Sequence, residues 1–139
     1  MRSLNCEGRK LNKKILVITN NPEVCRLYEN RFIIKANPGN YYDVLMEVRD
    51  LVHQGYELIT HPLMGSVKPN ETPYRSIILK KGTDTDLQSV EIIEISLQTY
   101  EKFEKMKPSP KWKQSILEDF QFVDLRLFES SLDSTNLYT

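Results

Sequence analysis

The chain has 139 residues, 40% of them hydrophobic and 27% charged, and its nineteen basic and nineteen acidic side chains cancel to zero net charge. A domain of this length buries somewhat under ~70% of its unfolded surface and needs neither disulfide nor metal to hold a core. Zero net charge removes the basic field that releases phosphate counterions, which argues against a general nucleic-acid binder. The want of any apolar run of about 18 residues argues against a membrane span.

The two cysteines, Cys6 and Cys25, have no metal-ligand spacing and are expected as reduced thiols. The N-terminal stretch carries Arg2, Arg9, Lys10, Lys13 and Lys14 with no hydrophobic segment before Ile15, so it is not a secretory signal. The expected compartment is the cytoplasm. Residues 1–13 are expected as a flexible tail, 14–129 as a single α/β domain and 130–139 as a frayed C-terminal tail.

The first element is the run at residues 14–19, short, continuous and β-branched, as in a strand buried on both faces. Asn20-Asn21-Pro22 ends it. Pro22 suits the first turn of a helix and Asn21 its cap, and Val24, Leu27 and Tyr28 then share one face. Phe32-Ile33-Ile34 is a second strand. Tyr41, Val44, Leu45, Val48, Leu51 and Val52 follow the i, i+3, i+4, i+7 pattern of a second helix, opened by Asn40 with Asp43 and closed by Gly55. A third strand is predicted at residues 56–60.

Strand, helix, strand, helix, strand implies parallel strands joined by right-handed crossovers. Residues 61–74 have no helical period and run directly into a fourth strand at 75–80. Without a crossover helix this strand is expected antiparallel to the third, at the sheet edge. Thr85 with Gln88 forms a capping box for a third helix through Val90, Ile93, Leu97, Tyr100 and Phe103. After the break at residues 107–110, Trp112, Ile116, Phe120, Val123 and Leu127 give the apolar stripe of a fourth. The expected fold is α/β: a three-layer, Rossmann-like doubly wound sheet of about four strands, mostly parallel, with one antiparallel edge strand. Orders 2-1-3 and 3-2-1 both fit the first three strands.

Ligands of doubly wound sheets lie at the carboxyl ends of the strands. Here those ends are Thr19-Asn20-Asn21 and Thr60-His61, and the first helix would offer its N-terminal N–H groups to a carboxylate or phosphate. The loop that follows is restrained by Pro62, Pro69 and Pro73. Gly65 and Ser66 permit close backbone approach, Lys68 and Arg75 bring positive charge, and Asn70, Thr72 and Tyr74 bring neutral hydrogen bonds. His61 and Glu71 are the candidate acid–base pair. Each has a plainer role open to it: His61 can donate to a nearby carbonyl, and Lys68 and Glu71 can be solvated charges. Ser66 lacks the Gly-x-Ser-x-Gly setting of a nucleophile, Gly-Ser-Val-Lys is not a phosphate-binding loop, and His53 suits a helix C-terminus. No metal set or cofactor fingerprint is present, and the cofactor is unknown.

At residues 18–22 (ITNNP) and 58–74 (LITHPLMGSVKPNETPY) the chain resembles the GrdX-like proteins, over roughly residues 14–105. Those proteins are encoded beside the glycine, sarcosine and betaine reductase components of amino-acid-fermenting anaerobes. The resemblance implies a cytoplasmic accessory of such a system and carries no catalytic residues over. Three readings stand. The chain binds a small anionic metabolite or a reductase subunit through the 61–75 loop; or it is a small enzyme using His61 and Glu71 on a carboxylate or phosphate; or it is an interaction module that uses the helix from Trp112 to Phe128.

Overall fold

In a computed structural model, residues 11–64 and 68–137 are described. Most of the expected N-terminal tail, Cys6, Gly65 and Ser66 lie outside them. The elements run β1 (Asn12–Thr19), α1 (Pro22–Tyr28), β2 (Phe32–Ala36), α2 (Tyr41–His53), β3 (Glu57–Leu58), β4 (Ser76–Lys80), α3 (Leu87–Met106) and α4 (Gln114–Ser134), with a 3-10 turn at Pro69–Glu71 before β4.

The sheet has the order β2-β1-β4-β3. β1 runs parallel to β2, with Leu16 opposite Ile33 and Thr19 opposite Ala36. It runs antiparallel to β4, from Ile15 opposite Lys80 to Thr19 opposite Ser76, and β4 is antiparallel to β3 as well. The antiparallel pairing of the third and fourth strands is as expected. The mostly parallel, Rossmann-like sheet is not: only one hydrogen-bonded pair is parallel, and β4 lies inside the sheet between β1 and β3, so the first three strands keep the order 2-1-3 with β4 inserted and 3-2-1 does not hold. The reason is visible in β4 itself. Ile77, Ile78 and Leu79 are all fully buried, and an uninterrupted apolar run belongs to a strand covered on both faces, whereas an edge strand carries charge to deter further pairing. The charged edge is β3, where Glu57 is exposed.

β3 is shorter than the predicted 56–60 because its ladder fails after Leu58. The N–H groups of Ile59 and Thr60 both turn to the carbonyl of Ile78, at 2.9 and 3.4 Å. The Thr60 hydroxyl then accepts from the Ile78 N–H at 3.1 Å, standing in for a backbone partner.

Helices cover both faces, which gives the expected three layers. Ile18, Ile77 and Leu79 pack with Tyr41, Val44, Leu45 and Val48 of α2 and Ile93, Leu97 and Tyr100 of α3. On the opposite face Ile15, Val17 and Ile78 pack with Val24 and Tyr28 of α1 and Leu125, Phe128 and Leu132 of α4. The alternation of side chains along a strand makes this division. Gly55 closes α2 with φ +112°, the conformation expected of it. α3 is capped by Asp86, not Thr85: the Asp86 carboxylate accepts from the N–H and the hydroxyl of Ser89 at 3.0 and 2.6 Å. The chain expected to fray from Ser130 stays helical to Ser134, because Leu132 is buried in the core cluster against the sheet.

Candidate functional site

An antiparallel β4 brings its first residues to the carboxyl end of β1, so Arg75-Ser76 meets Thr19-Asn20-Asn21. Thr19, Asn21, Arg75, Ser76 and Asp124 are all at least nine-tenths buried there, an unusual concentration of polar groups inside a domain. Buried polar groups need partners, and nearly every one here has them.

Asp124, projecting from α4, is the hub. Its Oδ2 accepts from the Ser76 hydroxyl at 2.7 Å and from Asn21 Nδ2 at 3.0 Å. Since Ser76 gives its proton to the carboxylate, the 2.6 Å contact between Thr19 Oγ1 and Ser76 Oγ is donated by Thr19. Thr19 in turn accepts from the Asn21 N–H at 2.9 Å. Two hydroxyls thus point in sequence at one carboxylate.

The two asparagines act as clamps. Asn20 Nδ2 donates to the carbonyls of Gly39 and Pro73, and its Oδ1 accepts from the Arg75 N–H at 3.0 Å, tying both connecting loops to the end of β1. Asn21 caps α1 by accepting from the Glu23 N–H, and its amide donates to Gln121 O and Asp124. The start of α1, expected to receive an anion, is therefore occupied by the chain's own side chain.

Arg75 is the exception to this economy. Its side chain is 2% exposed. Nε donates to Tyr41 Oη at 3.2 Å, the guanidinium lies 5.2 Å from the centre of the Tyr41 ring, and Tyr41 Oη donates to Pro62 O at 2.9 Å. Nη1 is 3.7 Å from Asp124 Oδ1, an ion pair too long for a hydrogen bond, and among the described residues it has no hydrogen-bond partner. Burial pushes the Tyr41 phenol upward, partly opposed by the neighbouring guanidinium.

The remaining predicted residues are distributed differently. Tyr74 borders the cluster and accepts from Gln121 Nε2 at 2.9 Å. Thr60 is spent on the β4 backbone. His61 is exposed and its Nδ1 accepts from the Leu63 N–H at 3.1 Å. Glu71 pairs with Lys107 at 3.4 Å, so each member of the candidate acid–base pair has its own partner elsewhere. Lys68 is exposed, the Thr72 hydroxyl donates to Lys68 O, and buried Asn70 holds the end of α3 by donating to Lys107 O. Gly65 and Ser66 lie outside the described residues.

Tyr41, Ser76, Gln121 and Asp124 were not anticipated. Asp124 had a signal: it sits three residues after Gln121 and four before Phe128, on the face that α4 buries. Among the described residues no group of three or more His, Cys, Asp and Glu side chains is placed to hold a metal ion, and no helix is long and apolar enough to cross a membrane. The Cys25 thiol is free, half-buried, and raised by that burial.

Comparison with curated proteins and with solved structures finds no match. A protein-family model does match, from Leu16 inside β1 to Asp133 near the end of α4, a span that includes the last helix left outside the expected resemblance. Its description is GrdX-like protein, and the chain belongs to that family.

Proposed function

We propose that this protein is a cytoplasmic accessory of a glycine, sarcosine or betaine reductase system, and that it binds a small monoanionic carboxylate at the polar cluster between β1 and β4. Membership of the GrdX-like family supplies the association with a glycine reductase-related system. The binding reading rests on one observation, the buried Arg75 whose Nη1 lacks a hydrogen-bond partner among the described residues.

A buried donor left unmade costs about 1–3 kcal/mol, more when charged, so native structures rarely keep one without a use. A carboxylate oxygen on Nη1 would recover that energy through a charge-assisted bond. Asp124 beside it already balances the guanidinium, so an entering carboxylate brings the cluster to one net negative charge, a cost that is greater still for a phosphate dianion. Nη1 is shielded from solvent, so entry requires the groups that cover it to shift.

The test is a thermal-shift screen of the purified protein against acetate, glycine, sarcosine, betaine, acetyl phosphate and phosphate. A probe at 100 times its dissociation constant adds about 2.7 kcal/mol to stability. The expected outcome is a shift with one or more carboxylates that Arg75→Lys removes and His61→Ala retains, with far-UV circular dichroism showing both variants folded. A shift abolished by His61→Ala and kept by Arg75→Lys would favour the acid–base enzyme. A flat screen would turn the reading toward a reductase subunit as the only partner.

A further inference from the structure

α4 has two apolar faces. The buried one runs through Leu125, Phe128 and Leu132. The other comprises Ile116, Phe120, Val123 and Leu127, with Trp112 just before the helix stacked edge-on against Phe120 at 4.8 Å. It stands away from the core stripe: Ile116 is 40% and Val123 50% exposed, while Phe120 and Leu127 are half-buried. The spacings of four, three and four residues from 116 to 127 are those of a heptad seam, the 3.5-residue repeat that keeps one stripe against a neighbouring helix.

We propose that this stripe is the seam of a homodimer in which two copies of α4 cross antiparallel, with the two-fold axis between residues 121 and 122. The flanks of the seam decide for a second copy and for its direction. On one side the flanking positions are Leu117, half-buried, and Asp124, enclosed in the domain. On the other side they are Asp119 and Arg126, both exposed and seven residues apart; Arg126 is held within its own helix by an exposed pair with Glu129 at 3.5 Å and by the Phe122 ring at 5.9 Å, contacts that can exchange for a second copy's carboxylate. An antiparallel pair sets these outer flanks against each other. With Phe120 opposite Val123 of the second copy and Ile116 opposite Leu127, Asp119 of each copy comes beside Arg126 of the other, twice by symmetry. A parallel pair would direct Asp119 toward the other copy's Asp124, a like charge already enclosed in its own domain. The chain's zero net charge adds no long-range repulsion to oppose association with itself. This surface is separate from the Arg75 cluster, and the inference does not depend on ligand binding there.

The test is sedimentation velocity on the full chain over a range of concentrations. Wild type is expected to show a concentration-dependent dimer. Asp119→Arg and Arg126→Asp should each weaken it about tenfold, since each turns two attractive pairs into two repulsive ones, and the double variant Asp119→Arg/Arg126→Asp should restore it. Val123→Glu should give a monomer with unchanged far-UV circular dichroism. A chain that is monomeric throughout, a dimer indifferent to Val123→Glu, or a double variant no better than the singles would each overturn the proposal.

Discussion

Tyr41 illustrates how one side chain links packing to the charged cluster. Its ring fills the α2–α3 side of the core against Tyr100, and its hydroxyl joins Arg75 to the Pro62 carbonyl. Burial raises its pKa, so the folded protein keeps the phenol neutral where the unfolded chain ionises it. That contribution is complete below the unfolded value of about 10 and is lost as pH climbs from there toward the raised folded value. Tyr100, raised by burial too, acts with the same sign. Tyr41→Phe should therefore be less stable by about 1–3 kcal/mol at neutral pH, because Arg75 Nε loses its acceptor. It should also lose less further stability than wild type between about pH 8 and pH 10.5. Urea midpoints at the two pH values check both parts; an equally steep alkaline loss in the variant would contradict them. Arg75, Asn20 and Asn21 were legible as polar residues at strand ends. Their partners Asp124 and Ser76 were not, because an acid within an apolar helical stretch reads as surface until the helix face is phased.

Element boundaries followed local chemistry closely where a single rule operated. Asn40 and Asp43 form the expected capping box of α2, with reciprocal bonds of 3.0 and 2.9 Å. At α3 two acceptors competed, and Asp86 prevailed over Thr85 because its carboxylate engages Ser89 twice, while the Ser89 hydroxyl also accepts from the Leu58 N–H at 2.9 Å. This cap therefore fastens the short edge strand as well as the helix. Asp86→Ala should lower stability by about 1 kcal/mol, read from denaturant unfolding, whereas Thr85→Ala should be nearly silent; the reverse ranking would refute the assignment. α4 misled for a physical reason: two apolar stripes share one helix, and periodicity alone cannot say which one meets the sheet. The stripe from Trp112 to Leu127 was the more regular, but Leu125, Phe128 and Leu132 make the core contact.

For the whole molecule, alternation of strands and helices identified the three layers and the helices that form them, since each face of each strand must be covered. It could not place β4. Strand order depends on contacts between residues far apart in sequence, such as Thr19 with Ser76, which leave no local periodicity. Yet that placement makes the candidate site: with β4 at an edge Arg75 would face solvent, and with β4 beside β1 it is enclosed near Asp124 and Tyr41. Much of the predicted 61–75 site is thus redistributed. Arg75 at its end, and Thr60 just before its start, reach the sheet, while Glu71 and Asn70 attach instead to Lys107 at the end of α3. The most direct test of a carboxylate on Arg75 observes that guanidinium itself, by titrating ¹⁵N-labelled protein with acetate and with glycine and following the Arg75 Nε–H resonance. Saturable movement of that resonance, with little change at exposed Arg26 and half-buried Arg49, is the predicted result; an Arg75 signal that stays fixed while others move, or while none do, would contradict the account.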